Sequence, residues 1–514
     1  MTSIPSTARH EPPPTEPATL VQANAETQRL HQRAWFVLTA TISCILLGYR
    51  LGFHPIDLWD ESRLANNALE MARSGLSLVT TFDGAPDHWN TKPPLLIWLM
   101  AICIRLLGAN EWAVRLPSVM AAFATGLIMF LFCARHLRKP ALGFGSVMLL
   151  FLSFGYVTNH GARSGDYDAM LTLGTTSYLI SAYLYLHGRA EHRTRWLAVC
   201  ALGIVLAFMT KTIQGMIFLP ALLMYAAYER RLMPMVRSRA VQASVVLVLL
   251  VCVGYYIARE SVDPGYFAAV KSNDLLGRFN TVLDEHAGGF WWYVLQVDRC
   301  FWLVPGLTAA AWLAWRGRGE KRRLAMYLGT LCVFYLVVIS LAKTKLPWYP
   351  IPIYPLLALL VALCLESIVR HMARAEGRPA AEARRKLAWI YAGLGATALV
   401  SNIMIVESRG NESHVLNNFL RGPIIRNSNL NKIVVLHPGY LKSGGDYYVA
   451  PSLFYVNQLR HEGFSIVIQP PSKPIPAGYD TIMMCGRTRS EFDGLGALKP
   501  IATDEECGLY ALAS

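Results

Sequence analysis

Eleven separate apolar runs, most of them close to 20 residues long, restrict this chain to one kind of fold. They cover 34–53, 115–134, 140–158, 168–187, 196–209, 215–228, 240–258, 296–315, 324–342, 350–369 and 387–406. A helix needs roughly 20 apolar residues to cross a bilayer. Inside hydrocarbon the backbone must satisfy its own hydrogen bonds, and continuous apolar runs do so as helices. The chain therefore reads as an α-helical polytopic membrane protein with about 11 to 13 transmembrane helices. The pair 196–209 and 215–228 is short and is split by Lys211 to Gly215. Only 16% of the 514 residues are charged and 54% are hydrophobic, which excludes an ordinary soluble enzyme.

The net charge of +14 is unevenly placed. Five short loops, 135–139, 188–195, 229–239, 316–323 and 370–386, hold 21 Lys/Arg and five acidic residues, whereas 407–514 holds ten of each. That is a positive-inside signal, which puts the five loops in the cytoplasm, and not a nucleic-acid footprint. Residues 1–33 are polar and Pro-rich, too long a lead for a cleavable signal, and read as a disordered cytoplasmic tail. An odd number of spans then carries 407–514 to the opposite side. That segment has short apolar runs of strand length at Ile433–Leu436, Phe464–Ile468 and Thr481–Met484, and a helical stretch at Ser452–Arg460. The expected division is a tail (1–33), a membrane domain (34–406) and a small α/β domain (407–514). Eight of the ten cysteines lie in or beside apolar runs. Cys485 and Cys507 do not, and could pair if their segment faces an oxidising compartment.

On this topology the chemistry gathers at one face. The first outer loop, 54–93, contains Trp59-Asp60-Glu61-Ser62-Arg63 and ends near Thr91-Lys92-Pro93-Pro94. Between them, Leu64, Ala68, Met71 and Ala72 form a helical stripe, read as an amphipathic helix lying on the membrane surface. Residues 94–108 are too short to span and read as interfacial. The gap before 168 holds Arg163-Ser164-Gly165-Asp166-Tyr167-Asp168, the loop 259–295 holds Arg278 and His286, and 343–349 holds Lys343, Lys345 and Tyr349.

Charge near a membrane costs free energy unless it is solvated, paired or used. Each residue has a structural explanation. Asp60, Asp166 or Asp168 could cap a helix, and Lys343 and Lys345 could snorkel. Arg63 and Arg163 could neutralise carboxylates, and His286 could be a solvated loop histidine. A transporter or flippase of a lipid-linked substrate, the alternative reading, would place ionisable groups at mid-membrane on broken helices. The deep parts of these spans are nearly free of acidic residues, which favours a surface active site fed from the lipid.

Local strings carry a further signal. LWDESRLANNALEMARSG, HWNTKPPLLIWLMA and EWAVRLPSVMAA occur in order, followed by ARSGDYDAMLTL at 162–173, the Lys-Thr at 211 and AKTKLPWYPIPIYPLLALL at 342–360. This series resembles the polyprenyl-phosphate-sugar-dependent glycosyltransferases of the GT-C fold, in the superfamily of lipid A aminoarabinose transferases and protein O-mannosyltransferases. The resemblance runs from about 35 to 365; beyond that, the C-terminal segment is similar only in position and size.

It implies a bacterial inner-membrane enzyme with a periplasmic active site and a polyprenyl-phosphate sugar donor. The implied acceptor is an envelope molecule, a lipid A-type glycolipid first and then a polysaccharide or a protein. Lys92 would hold the donor phosphate, with Arg278 and Lys345 as second choices. Asp60 would be the general base or acceptor-orienting carboxylate, and Asp168 matches the second acidic position better than Asp166. Glu61 and Arg63 would orient Asp60, and Tyr349, Asp166 and His286 would contact substrate. No motif demands a cofactor. A divalent metal, used by some relatives, would draw on Asp60, Asp166, Asp168 and His286. Asn66, Asn67 and Thr91 depart from the relatives' pattern and leave sugar and acceptor open.

Overall fold

The computed structural model describes residues 18–158, 160–272, 286–296, 301–408, 412–426, 430, 432–441, 447–490, 498–503 and 506–512. Each expected span contains a helix. In chain order the helices in these runs are α1 (Ala18–Gly48), α4 (Glu111–Leu131), α5 (Pro140–Leu152), α6 (Tyr167–His187), α7 (Arg193–Lys211), α8 (Leu219–Tyr228), α9 (Arg239–Val262), α10 (Leu303–Arg316), α11 (Gly319–Leu341), α12 (Tyr354–Ala375) and α13 (Ala380–Ser408). Among the described residues, seven helical segments are long and apolar enough to cross a membrane. Many apolar side chains of α9, among them Val246, Leu250 and Ile257, are exposed, as expected of a lipid-facing helix.

Two further helices precede α4: α2 (Asp60–Ser74) and α3 (Leu95–Leu107). Here the structure departs from the surface-helix expectation. α2 is buried nearly all round: Leu64, Ala65, Ala68, Leu69 and Met71 are covered, and so are the polar Ser62, Asn66 and Asn67. The helix packs against α3, and Asn66 Nδ2 donates to the Ala450 carbonyl of the C-terminal unit at 2.8 Å. The apolar stripe was legible, but a stripe does not say whether lipid or protein covers it. α3 runs alongside α2, with Trp98 Nε1 donating to the Ser77 carbonyl and Arg105 Nε to that of Ala72, both at 2.7 Å.

The five basic loops share one end of the bundle. There Glu366, buried on α12, meets Lys139 at 2.7 Å and Arg370 at 2.9 Å. The opposite end carries α2 and the C-terminal unit. That unit is a five-stranded sheet of β3 (Lys432–Leu436), β4 (Ser465–Gln469), β5 (Thr481–Cys485), β6 (Lys499–Thr503) and β7 (Cys507–Ala511), following a hairpin of β1 (Thr81–Phe82) and β2 (Ala85–Pro86) in the first loop. The order is β4-β3-β5-β7-β6, parallel on either side of β3 and antiparallel about β7. Cys485 and Cys507 face each other across β5 and β7 and are disulfide-bonded. α14 (Glu412–Arg421) and α15 (Ala450–His461) join the sheet to the bundle.

Candidate active site

Antiparallel helices place the first charged pair. α6 and α7 are joined by a short connection, so Asp168 and Lys211 both lie roughly 28 Å from it, at 1.5 Å per residue. The two helices approach closely at Gly174 and Gly203; a Cβ at Gly174 would sit 2.7 Å from the Ala207 nitrogen. Lys211 Nζ therefore reaches both Asp168 oxygens at 2.8 Å, and both residues are buried. Asp168, expected to match the second acidic position, pairs with Lys211, because its place in the first turn of α6 turns it toward α7.

Asp166 is the residue that faces Asp60. It is the N-cap of α6, its Oδ1 accepting from the Tyr167 N–H at 2.5 Å. Its other oxygen is hydrogen-bonded to His160 Nδ1, which also lies 3.3 Å from Asp60 Oδ2. Burial opposes a charged His160, but the Asp166 carboxylate and then Asp60 outweigh it and raise its pKa. Burial likewise works against the charge on Asp166, and His160, Lys211 and the Tyr167 N–H hold its pKa down at about 2. The His160 ring stacks on Trp348 with centroids 3.6 Å apart, which ties this centre to the 343–349 loop. His160 went unread in the sequence. Its only mark there was its place in the same inter-helix gap as Asp166.

One donor atom each from Asp60, His160 and Asp166 lies within 4.8 Å of the others, a donor set that suits a divalent ion. Asp168 is taken up by Lys211, and His286 is exposed on another loop, where its backbone carbonyl accepts from the Lys345 N–H.

Glu61 ties the centre together from below. Its Oε1 accepts from Arg115 Nε at 2.8 Å and the Gly165 N–H at 2.7 Å; its Oε2 accepts from Arg115 Nη2 at 2.9 Å and the Asp57 N–H at 2.7 Å. Arg115 completes its five N–H donors on the carbonyls of Leu51, His54 and Pro55. An orienting role for Glu61 is compatible with this geometry, since it joins the segment before Asp60 to the one before Asp166. Arg115 was the unread partner; a charge in a mostly apolar helix was its signal.

Arg63 forms a bidentate pair with Asp87 at 2.7 and 2.8 Å and lies over the Phe82 ring at 3.6 Å. Asn67, one of the departures from the relatives' pattern, donates to Asp87 and accepts from Asn90, whose Oδ1 accepts from the Tyr167 hydroxyl. Beside this network Lys92 is half-buried, its ammonium 5.6 Å from the Tyr167 ring centre and 5.9 Å from that of Trp89. Lys345 sits differently from the expectation. It is buried and donates to the Ile339 and Ser340 carbonyls at 3.2 and 2.6 Å, closing the end of α11. Tyr349 is buried, and its carbonyl accepts from the Tyr335 hydroxyl at 3.0 Å. Arg163 caps α1 through the carbonyls of Leu46, Leu47 and Tyr49. Arg278 lies outside the described residues.

A multi-span bundle with its carboxylates, histidine and lysine at the end that carries a helix-bearing first loop has the GT-C fold of the solved structures it superposes on, and its sequence is similar to aminoarabinose transferases and protein mannosyltransferases. Residues 91–257 match the family described as dolichyl-phosphate-mannose-protein mannosyltransferase. ArnT from Cupriavidus metallidurans, solved bound to undecaprenyl phosphate, superposes with a TM-score of 0.65 at 16% identity, covering 94% of this chain and 98% of that one. The archaeal oligosaccharyltransferase AglB from Archaeoglobus fulgidus gives 0.56 at 11% identity, over 89% of this chain and 70% of that one. In sequence, the undecaprenyl phosphate-alpha-4-amino-4-deoxy-L-arabinose arabinosyl transferase of Pseudomonas savastanoi pv. phaseolicola is 30% identical over 347 residues. That match takes in 66% of this chain and only 62% of the relative.

Proposed function

We propose that this protein is an inner-membrane glycosyltransferase that moves a sugar from a polyprenyl phosphate to an envelope acceptor at the periplasmic face. A lipid A-type glycolipid is the favoured acceptor, then a polysaccharide or a protein. The membrane domain, 34–406, would do the chemistry, and 407–514 would be a periplasmic α/β domain. One observation carries the reading. Asp60, Asp166 and His160 converge at one end of the bundle, and Lys92 stands beside Tyr167, the residue next to Asp166.

The arrangement suits an inverting displacement. An acceptor oxygen forms a bond to the anomeric carbon as the bond from that carbon to the phosphate oxygen breaks, and polyprenyl phosphate leaves. Charge builds on the leaving phosphate, so a nearby ammonium stabilises the transition state more than the ground state. Lys92, held between aromatic rings, is the group for that role. If the acceptor is a hydroxyl, Asp60 takes its proton; an acceptor phosphate needs no base. Asp166, hydrogen-bonded to His160 Nδ1, holds the ring against Asp60. A divalent ion, when bound, would be held by Asp60, His160 and Asp166 and would add positive charge to the same centre.

The test is transfer by the purified protein from candidate polyprenyl-phosphate sugars to acceptor lipids, with Asp60→Asn and Lys92→Ala. Loss of transfer in both variants supports the assignment, and full activity in both folded variants sinks it. Accessible-cysteine mapping that places 407–514 in the cytoplasm would refute the periplasmic site.

A further inference from the structure

The residue just before Asp60 carries an unusual backbone. Trp59 has φ 72° and ψ −118°, a region that large side chains rarely adopt and that persists only where surrounding contacts hold it. Trp59 is the N-cap residue of α2. Locally the Trp59 carbonyl accepts from the Arg63 N–H at 3.0 Å and from Ser62 Oγ at 2.8 Å, and further contacts come from the far end of the chain. The Tyr448 ring stacks on Trp59 with centroids 5.1 Å apart and planes 18° apart. Its hydroxyl donates to the Trp59 carbonyl at 3.1 Å and lies 3.4 Å from Ser62 Oγ. On either side of the turn, Tyr455 OH accepts from the Ile56 N–H at 2.9 Å, and His414 lies 3.3 Å from Asp57.

We propose that the C-terminal α/β unit positions Asp60, with Tyr448 as its positioning residue. Tyr448 acts through Trp59. By clamping the strained turn it sets where Asp60 emerges at the start of α2, opposite His160. The membrane bundle supplies the reacting groups, and the C-terminal unit holds one of them in register. This inference rests on the reading of Asp60 given above.

Two measurements separate its failure from failure of that reading. Backbone amide exchange over 57–63 is followed in wild type, Tyr448→Ala and Tyr448→Phe in the full-length protein. Exchange about tenfold faster in Tyr448→Ala, with a smaller rise in Tyr448→Phe, supports the clamp; unchanged exchange overturns it. Transfer kinetics give the functional half. Tyr448→Ala lowers kcat about tenfold or more with donor KM within about twofold, because misplacement of a reacting group costs turnover. Tyr448→Phe, which keeps the stack, recovers most of it.

Arg421→Ala is the control. Arg421 anchors the same unit to the Gly52 and Phe53 carbonyls and to Glu111, away from Trp59. It is expected to lower thermal stability with kcat unchanged. Equal losses of kcat in Arg421→Ala and Tyr448→Ala would reduce Tyr448 to a generic anchor and overturn the proposal. If wild type transfers from no donor, the functional reading fails, and amide exchange still decides whether Tyr448 holds the turn.

Discussion

Glu61 gives the sharpest test of the geometry, because the conservative replacement is expected to be a poor one. Each carboxylate oxygen accepts one Arg115 N–H and one backbone N–H, from Gly165 or from Asp57. Glutamine keeps the shape but has one acceptor oxygen. Whichever way its amide turns, the NH2 faces a guanidinium N–H and a backbone N–H. Leaving a buried donor unsatisfied costs about 1–3 kcal/mol, more when it is charged. Two such donors and an Arg115 stripped of its counter-charge give roughly 3–5 kcal/mol, the range for breaking a buried ion pair. At 1.4 kcal/mol per decade, that is about two to three and a half decades in the folding equilibrium. Thermal inactivation in detergent micelles should show Glu61→Gln close to Glu61→Ala and well below wild type. Transfer activity at a temperature where the variant remains folded should also drop, since both the Asp57–Asp60 and the Gly165–Asp166 segments lose a shared anchor. If Glu61→Gln matched wild-type stability within about 0.5 kcal/mol, a margin typical of innocuous surface changes, the four-donor description would be wrong.

Other outcomes follow from the same contacts. Lys92→Ala should lower kcat/KM about 100-fold, the scale of losing one group that stabilises transition-state charge. Lys345→Ala should instead lower stability by about 2 kcal/mol through the freed carbonyls of α11, with donor KM unchanged. Steady-state kinetics beside thermal unfolding separate the two. Burial pushes the His437 pKa down to about 4, and its Nδ1 accepts from the Gly439 N–H. With an unfolded value near 6.5, the unfolded state binds the extra proton between those limits. The contribution is therefore fully present above about pH 6.5 and is lost as pH falls to about 4, roughly 3 kcal/mol in all. A pH series of unfolding should show that slope, and His437→Gln should flatten it. Replacing Cys485 and Cys507 together by alanine should cost about 3 kcal/mol for a loop of this size. Protection of both thiols in cells would also place their segment in an oxidising compartment.

Much of this molecule was open to inspection in the chain. Each apolar run marked a helix among the described residues, because a 20-residue apolar segment has few alternatives in a bilayer. Asp60, Lys92 and the Asp166–Asp168 pair stood out for a similar reason: charge beside hydrocarbon must be accounted for. The strings around them were enough to suggest the superfamily. β6 was not read, since Lys499–Thr503 is an exposed edge strand without an apolar run.

What the sequence determined by itself was the membrane class, the order of the helices and the few charged segments that share one face. Which carboxylate meets which partner was decided by the tertiary structure. Asp166 and Asp168 are two residues apart at the start of one helix, and so they point in different directions. Only packing settles that one meets His160 and Asp60 while the other meets Lys211. The same holds for α2. Its stripe specified that one face would be covered, and the C-terminal unit, some 380 residues away along the chain at the Asn66–Ala450 contact, supplies part of the cover. Contacts of that separation leave no local periodicity to read, because their free energy comes from surfaces that exist only after both segments have folded.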